Sequence, residues 1–287
     1  MTTIRRAAAA VFSASPTMEG AGVRLHRVFG FGNERDFDPF LMLDDFRAER
    51  REDFIAGFPW HPHRGIETIT YVLSGDVEHS DSLGNSGVIG SGDVQWMTAG
   101  SGIIHQEMPA GDEQGRMLGF QLWANLPAAE KMCDPRYRGL TDCDIPTLTT
   151  AEGATVRVIA GEVDGVRGPV EGIVIDPEYL DVTVPAGSTF THAIEADHTA
   201  FAYCIEGAGE FAPEAPLSNR KVVLFGEGDH VRVETAEQPV RFLLLSGRPL
   251  REPIAWRGPI VMNTDEELRT AFREYHEGTF VKVGAAR

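Results

Sequence analysis

The chain has 287 residues, with 26 Lys and Arg against 43 Asp and Glu, so its formal net charge is −17. A surface this acidic repels the phosphates of nucleic acids and anionic lipid headgroups, which argues against direct nucleic-acid binding and membrane association. The hydrophobic share of 42% and the charged share of 24% are ordinary for a globular protein and exclude disorder as the main state. The length leaves room for one large domain or two modest ones.

Short runs of β-branched and aromatic residues, separated by glycine-rich turns, recur along most of the chain. Such a pattern predicts many short strands and therefore a β-sandwich or β-barrel. After a first strand at 7–12, the predicted strands cover residues 68–73, 88–89, 94–97, 117–123, 155–159, 180–184, 200–205, 221–225 and 240–245.

Two segments predict helices. A short helix is expected over residues 127–132, because Pro127 is suited to a first helical position. Near the C-terminus, Thr264 and Glu267 form a capping box ahead of apolar residues at helical spacing, and Gly278 is a natural stop.

The compartment follows from two observations. No apolar run approaches the ~20 residues that cross a bilayer, and the run at 7–12 is shorter than the apolar region of a signal peptide. Cys133, Cys143 and Cys204 are an odd number of cysteines without a CxxC pair, so we expect free thiols. Together these features predict a cytoplasmic protein.

Two motifs occur twice in the same order. The sequence YVLSG at 71–75 resembles YCIEG at 203–207, and GSGDV at 90–94 resembles GEGDH at 226–230. The repetition predicts two copies of one small β-barrel.

The first copy contains four candidate metal ligands in two i, i+2 pairs. His61 and His63 form one pair, and His105 and Glu107 form the other. Residues at i and i+2 of a strand project to the same face, so each pair could hold a metal. Three imidazoles and a carboxylate would leave two octahedral positions open, which suits Fe(II), Mn, Ni, Co or Cu better than structural zinc. For the two histidines alone, a polar solvent-exposed strand is the alternative.

These residues lie within two long stretches that resemble the signatures of the pirins, which are bicupin proteins. The stretches are HPHRGIET at 61–68 and GDVQWMTAGSGIIHQE at 92–107. Further similar stretches lie at 40–44, 79–82, 119–123 and 258–264. The resemblance implies an all-β bicupin fold, with two tandem cupin barrels and a short C-terminal helix.

The resemblance also implies one divalent metal per chain, usually iron, held by His61, His63, His105 and Glu107, with Mn, Ni, Co, Cu or Zn as alternatives to Fe(II). Several pirins oxidise the flavonol quercetin with O₂ and release carbon monoxide. The expected function is therefore a quercetin 2,3-dioxygenase, with an aromatic polyphenol and O₂ as partners and Glu107 as general base. The alternative is a non-catalytic, iron-dependent, redox-responsive regulator that binds a protein partner. We expect a monomer.

A second carboxylate competes for the metal. Cupins in general take a glutamate a few residues after the paired histidines, and Glu67 occupies that place. The pirin resemblance favours Glu107, which leaves Glu67 as a supporting or structural carboxylate.

The second copy lacks the ligands. At the repeat offsets, the ligand positions fall on Ala193, Glu195, Arg241 and Leu243. His192 and His198 lie nearby but out of register. We therefore predict an N-terminal cupin domain with the metal at 1–135 and a C-terminal cupin-like domain without metal at 136–287.

Several residues near the first site could support it. Four could line a pocket for a flat substrate or belong to the core: Phe58, Trp60, Trp96 and Met97. Arg64 is predicted to form an ion pair. His79 and Asp81 would either orient a ligand imidazole or stabilise a turn.

Overall fold

The computed structural model describes residues 3–283, which form mainly antiparallel β-sheet. The strands, numbered in chain order, are β1 (Ala8–Ser13), β2 (Ser15–Glu19), β3 (Val23–Phe29), β4 (Phe40–Asp45), β5 (Phe58–His63), β6 (Ile66–Ser74), β7 (Val77–Asp81), β8 (Ser86–Ile89), β9 (Val94–Thr98), β10 (Ile103–Pro109), β11 (Leu118–Asn125), β12 (Arg136–Leu140), β13 (Thr147–Thr149), β14 (Thr155–Ala160), β15 (Glu162–Val163), β16 (Val166–Arg167), β17 (Glu178–Val184), β18 (Thr189–Ala193), β19 (Thr199–Ala212), β20 (Ala215–Ser218), β21 (Lys221–Phe225), β22 (His230–Glu234), β23 (Val240–Gly247), β24 (Ala255–Arg257) and β25 (Ile260–Met262). The α-helix α1 spans Asp265–His276, and two 3₁₀ turns span Arg51–Asp53 and Asp142–Asp144. No helix within residues 3–283 is long and apolar enough to cross a lipid bilayer.

One compact unit contains residues 15–34, 40–142 and the described residues from 250 onward. Its seven-stranded sheet has the order β12-β9-β6-β11-β4-β3-β2, and its four-stranded sheet has the order β5-β10-β7-β8. Apolar side chains from both sheets, such as Val72 of β6 and Val77 of β7, form a shared buried core. The unit is therefore a barrel-like sandwich of two sheets.

The other compact unit contains the described residues up to 14, together with residues 35–39 and 143–249. Its main sheet has the order β1-β21-β19-β23-β17-β14-β13, and β18 pairs with β22 while β20 pairs with β19. Strand by strand, this order repeats that of the first unit. The sequence prediction of two copies of one barrel is confirmed.

Pairing in the two units corrects one alignment of the repeat. The GSGD turn precedes β9, whose counterpart is β21, whereas the GEGD turn follows β21 and precedes β22. Both turns contain a glycine at positive φ, 88° at Gly92 and 152° at Gly228, so they look alike in sequence. They belong to successive connections, and the offset that equated them is wrong by one strand.

The compact units differ from the single domain boundary predicted between residues 135 and 136. Strand β1 lies near the N-terminus but pairs with β21. Strand β12 begins directly after the predicted boundary but pairs with β9, which precedes it. The segment after residue 249 joins the first unit, where the Val261 amide donates to the Arg64 carbonyl at 3.1 Å. Backbone pairing of distant segments therefore decides the division, and proximity along the chain does not.

The helix predictions have opposite outcomes. Thr264 caps α1 and forms the predicted capping box with Glu267, and Gly278 follows the helix at φ 72°. The helix predicted at 127–132 is wrong, since those residues form turns in which the Lys131 amide donates to the Pro127 carbonyl. A single turn forms there because the Lys131 side chain is buried and its ammonium group is engaged elsewhere.

Candidate metal centre

Three histidine side chains meet on the neighbouring strands β5 and β10. These strands pair in antiparallel register with His105 opposite His61. Nε2 of His61 lies 3.0 Å from Nε2 of His63 and 2.9 Å from Nε2 of His105. Within residues 3–283, these three are the only group of three or more His, Cys, Asp or Glu whose ligand atoms lie together, here within 4.8 Å.

The hydrogen bonds made by the Nδ1 atoms of His61 and His63 show which ring nitrogen of each could bind a metal. Nδ1 of His61 lies 2.9 Å from the Pro59 carbonyl oxygen, and Nδ1 of His63 lies 3.0 Å from that of Pro259. A carbonyl oxygen only accepts, so each Nδ1 donates its proton and each Nε2 keeps a lone pair. Burial, with a smaller effect of neighbouring imidazoles, lowers the pKa of His63 and His105 well below the usual value. Neutral imidazoles with converging lone pairs repel one another unless a cation lies between them, so the cluster fits a divalent metal.

Glu107 lies beside this group without joining it. The register shifts between His105 and Glu107, so that Glu107 is opposite Phe58. Its buried carboxylate accepts a hydrogen bond at Oε1 from Thr70 Oγ1 at 2.8 Å. Its other oxygen has no hydrogen-bond partner among the described residues. Of the four predicted ligands, the structure brings the three histidines together. The Glu107 carboxylate stays outside this group, on the wall of a cavity that His61 and His63 also line.

Glu67 is engaged in a different part of the fold. It lies on β6, where its carboxylate accepts hydrogen bonds from Trp96 Nε1 and, at 2.9 Å, from Thr98 Oγ1. Burial raises the pKa of this carboxyl group. Both oxygens are therefore used by neighbours on β9, and Glu67 is outside the cavity wall.

A cavity of about 750 Å³ opens onto His61 and His63. Its aromatic wall consists of Phe31, Phe46, Phe58, Trp123 and Trp256. The Trp123 ring stands edge-on to His63, with ring centroids 5.0 Å apart. Of the four residues that could line a pocket or belong to the core, Phe58 lines the cavity, and Trp96 and Met97 are buried in the core. Trp60 is exposed and outside the wall. The sequence alone does not identify Phe31 or Trp256, because neither lies near a candidate metal ligand along the chain.

The C-terminal segment supports the end of β5. Gly65 has φ 77°, and a Cβ on it would lie 2.0 Å from the Val261 carbonyl oxygen. The Lys131 ammonium donates to the carbonyl oxygens of Gly65 at 2.8 Å and of Val261 at 3.1 Å. The buried Arg64 forms an ion pair with Glu274 of α1 at 2.7 Å. These contacts fix the backbone directly after His63.

His79 and Asp81 form a separate buried pair. Nε2 of His79 lies 3.3 Å from Asp81, and its Nδ1 lies 2.9 Å from Gln95 Nε2. The His79 ring packs against the ring of His105 at 5.5 Å between centroids. The pair therefore supports the position of His105 by packing, without a hydrogen bond between the two rings.

In the second unit, hydrocarbon occupies the corresponding place. Strands β18 and β22 are the counterparts of β5 and β10, and their buried residues Phe190, Val231 and Val233 belong to the apolar core. Arg241 and Leu243, which the repeat offset put at ligand positions, lie on β23, the counterpart of β11. Arg241 forms an ion pair with Asp181 there.

Comparison with known proteins places this chain in a family. The Pirin family model matches residues 22–124, and the model of the Pirin C-terminal cupin domain matches residues 179–281. A pirin-like protein of Caulobacter vibrioides is 46% identical over 271 residues, which is 94% of this chain and 97% of the relative. The chain belongs to the pirin family.

Two further likenesses support the pirin assignment and the bicupin fold. Human pirin is 40% identical over 264 residues, which is 90% of this chain and 88% of the relative. A crystal structure of quercetin 2,3-dioxygenase from Acinetobacter baumannii matches with a TM-score of 0.88 and 31% identity, covering 99% of this chain and 100% of that one. The predicted bicupin with a short C-terminal helix is confirmed.

Proposed function

We propose that this pirin is a metal-dependent dioxygenase that opens the central ring of a quercetin-like flavonol with O₂ and releases carbon monoxide. The observation that carries the proposal is the convergence of three Nε2 atoms in a cluster of which His61 and His63 line an aromatic cavity. The likeness to the Acinetobacter baumannii quercetin 2,3-dioxygenase supports the same activity.

His61, His63 and His105 would hold one divalent metal, and Glu107 is proposed as the fourth ligand. Nitrogen ligands with one carboxylate and open positions favour Fe(II), with Mn, Ni, Co, Cu or Zn as alternatives. The bound metal would supply Lewis acidity and bring the flavonol oxygen and O₂ together. The Pro59 and Pro259 carbonyl oxygens keep two of the imidazoles in the tautomer that this requires.

The cavity residues bind and orient the substrate. At about 750 Å³ the cavity lies within the range of about 300–1,000 Å³ that is typical of small-molecule sites. Phe31, Trp123 and Trp256 offer apolar faces to a flat polyphenol beside the histidines.

Glu107 is proposed as the base that takes the proton of the flavonol 3-hydroxyl group. Thr70 holds Oε1 in place, which leaves Oε2 to accept that proton. Proximity and a fixed orientation contribute most to the rate, because the substrate hydroxyl and the base are then held together in one cavity.

The test is an aerobic flavonol assay on protein reconstituted separately with each metal. We expect loss of the flavonol absorbance band together with release of carbon monoxide. Glu107→Gln should lower turnover per bound metal by about 10²–10⁴-fold, the usual contribution of a general base. Glu67→Gln is the matched control and should leave turnover per bound metal close to that of the wild type.

Two results would contradict the proposal. If Glu67→Gln produces the loss and Glu107→Gln does not, the base and ligand assignments are wrong. If no metal-loaded form consumes any flavonol, the dioxygenase proposal fails and the iron-dependent regulator that binds a protein partner becomes the better hypothesis.

A further inference from the structure

The second unit contains a larger cavity of about 1,140 Å³ that the dioxygenase reaction does not use. It is lined by residues from the β13–β14 turn, the approach to β17, and β18. These elements are the counterparts of β2–β3, β4 and β5, which line the cavity at the histidine cluster. Residues of the β15–β16 hairpin and of the segment 170–173 also line this cavity, whereas Phe190, Val231 and Val233, which occupy the place of the histidine cluster, are not part of its wall.

The lining of this cavity is strongly acidic. One guanidinium group, that of Arg167, faces eight carboxylates from Glu152, Glu162, Asp164, Glu171, Asp176, Glu178, Glu195 and Asp229. Arg167 is paired with Glu162 at 3.1 Å, and Arg248 with Asp176 at 3.4 Å. Glu178 lies 2.9 Å from His192 and Asp229 lies 2.7 Å from His230, whereas Glu152, Asp164 and Glu195 form no ion pair among the described residues. Such a concentration of one charge lowers the local potential and attracts cations.

A buried imidazole provides an independent sign of a ligand. His198 is only 6% exposed and lines the cavity, yet its ring makes no hydrogen bond to any residue within 3–283. The nearby His192, in contrast, has Nε2 2.9 Å from the Glu178 carboxylate. Neither ring nitrogen of His198 is fully enclosed, so a group that enters the cavity can form a hydrogen bond with this ring.

The loop that contains Glu195 and His198 is held in place by hydrogen bonds from Arg6 to its backbone. The buried guanidinium of Arg6 donates to the carbonyl oxygens of Glu195 at 2.7 Å, Ala196 at 3.3 Å and His198 at 2.9 Å. Its positive charge is directed at these carbonyls, while the carboxylate of Glu195 remains on the exposed rim. The loop is thus preorganised, which lowers the entropy cost of binding.

The geometry favours an organic cation over a metal ion. No three ligand atoms of this cavity lie as close together as those of His61, His63 and His105, which form the only such group in the described chain. Val163, Val170 and Ile194 are apolar members of the same lining. A chain of methylene groups with several ammonium groups matches both features, since it can span separated carboxylates and cover hydrocarbon.

We propose that this cavity binds an aliphatic polyamine, with ammonium groups on the rim carboxylates and an N–H donated to the imidazole of His198. The site would be independent of the metal and of flavonol turnover.

Isothermal titration of the full chain with spermidine tests the proposal. We expect one spermidine per chain and an affinity that falls as salt is raised, because exposed charges are screened beyond about 8 Å at physiological ionic strength. Glu195→Gln and His198→Ala should each weaken binding by about tenfold, as expected for a lost charge-assisted contact. Glu237→Gln removes an exposed charge outside the cavity and should leave the affinity unchanged. His61→Ala should also leave it unchanged.

Three results would overturn the proposal: no heat of binding at low salt, equal weakening by Glu237→Gln and Glu195→Gln, or equal competition by Mg²⁺ at matched ionic strength. The first excludes the site, the second indicates attraction by net charge alone, and the third indicates a metal ion. Thermal unfolding of each variant without ligand shows whether the fold is kept, and Glu152→Gln on the exposed rim gives a second test if His198→Ala does not fold.

Discussion

Gly65→Ala should weaken the fold at the point where the C-terminal segment meets the metal-binding strand. Gly65 has φ 77°, and the added Cβ would lie 2.0 Å from the Val261 carbonyl oxygen and 3.2 Å from Met262 Sδ. The left-handed backbone costs an alanine about 1–2 kcal/mol. Overpacking against a backbone atom adds about 1–3 kcal/mol, so we expect the free energy of unfolding to fall by about 2–5 kcal/mol.

Gly84→Ala is the matched control for this substitution. Gly84 has φ 90°, and a Cβ on it would meet no atom within 4 Å, so only the conformational cost of about 1–2 kcal/mol applies. Denaturant unfolding measures the free energy of unfolding of both variants. The difference between the two losses is the contribution of the close approach to Val261. Metal content gives a second measurement, because displacement of Gly65 also moves His63. Equal losses of stability in the two variants would refute the argument.

The remaining predictions concern metal content and stability. His61→Ala should abolish stoichiometric metal binding while His192→Ala leaves one metal per chain, and elemental analysis showing two tightly bound metals in the wild type would contradict a single site. Lys131→Met should lower the free energy of unfolding by about 1–3 kcal/mol, because buried carbonyl oxygens lose their donor; an unchanged denaturation midpoint would oppose this. Thr264→Ala should cost about 1 kcal/mol through loss of the helix cap, whereas Thr264→Asn should cost less in the same assay.

The sequence predicts site residues best where they all lie on one strand. The i, i+2 spacing of His61 and His63 needs no tertiary information, and His105 lies opposite His61 once the strands pair. The position of Glu107 depends on a shift in strand register that the residue types do not predict. Phe31 and Trp256 reach the cavity through tertiary packing, so periodicity could not identify them.

Local rules also failed where buried polar groups decide the backbone. Pro127 and the residues after it satisfy the pattern of a helix start, but the Lys131 ammonium is held by the carbonyl oxygens of Gly65 and Val261 and by Asn125. These tertiary hydrogen bonds outweigh a weak helical preference over six residues. The capping box at Thr264 was reliable because its partners lie within one turn of each other.

The pairing of distant segments has a consequence for how the protein is made. On the ribosome, β1 emerges more than 200 residues before its partner β21, and residues 250–283 emerge after both sets of barrel strands. Pro259, which fixes the tautomer of His63, and Val261, which packs on Gly65, are in that late segment. Neither barrel can therefore be completed from a nascent fragment cut between the repeats. Metal loading is expected to follow translation, in a fold whose long-range pairings form slowly.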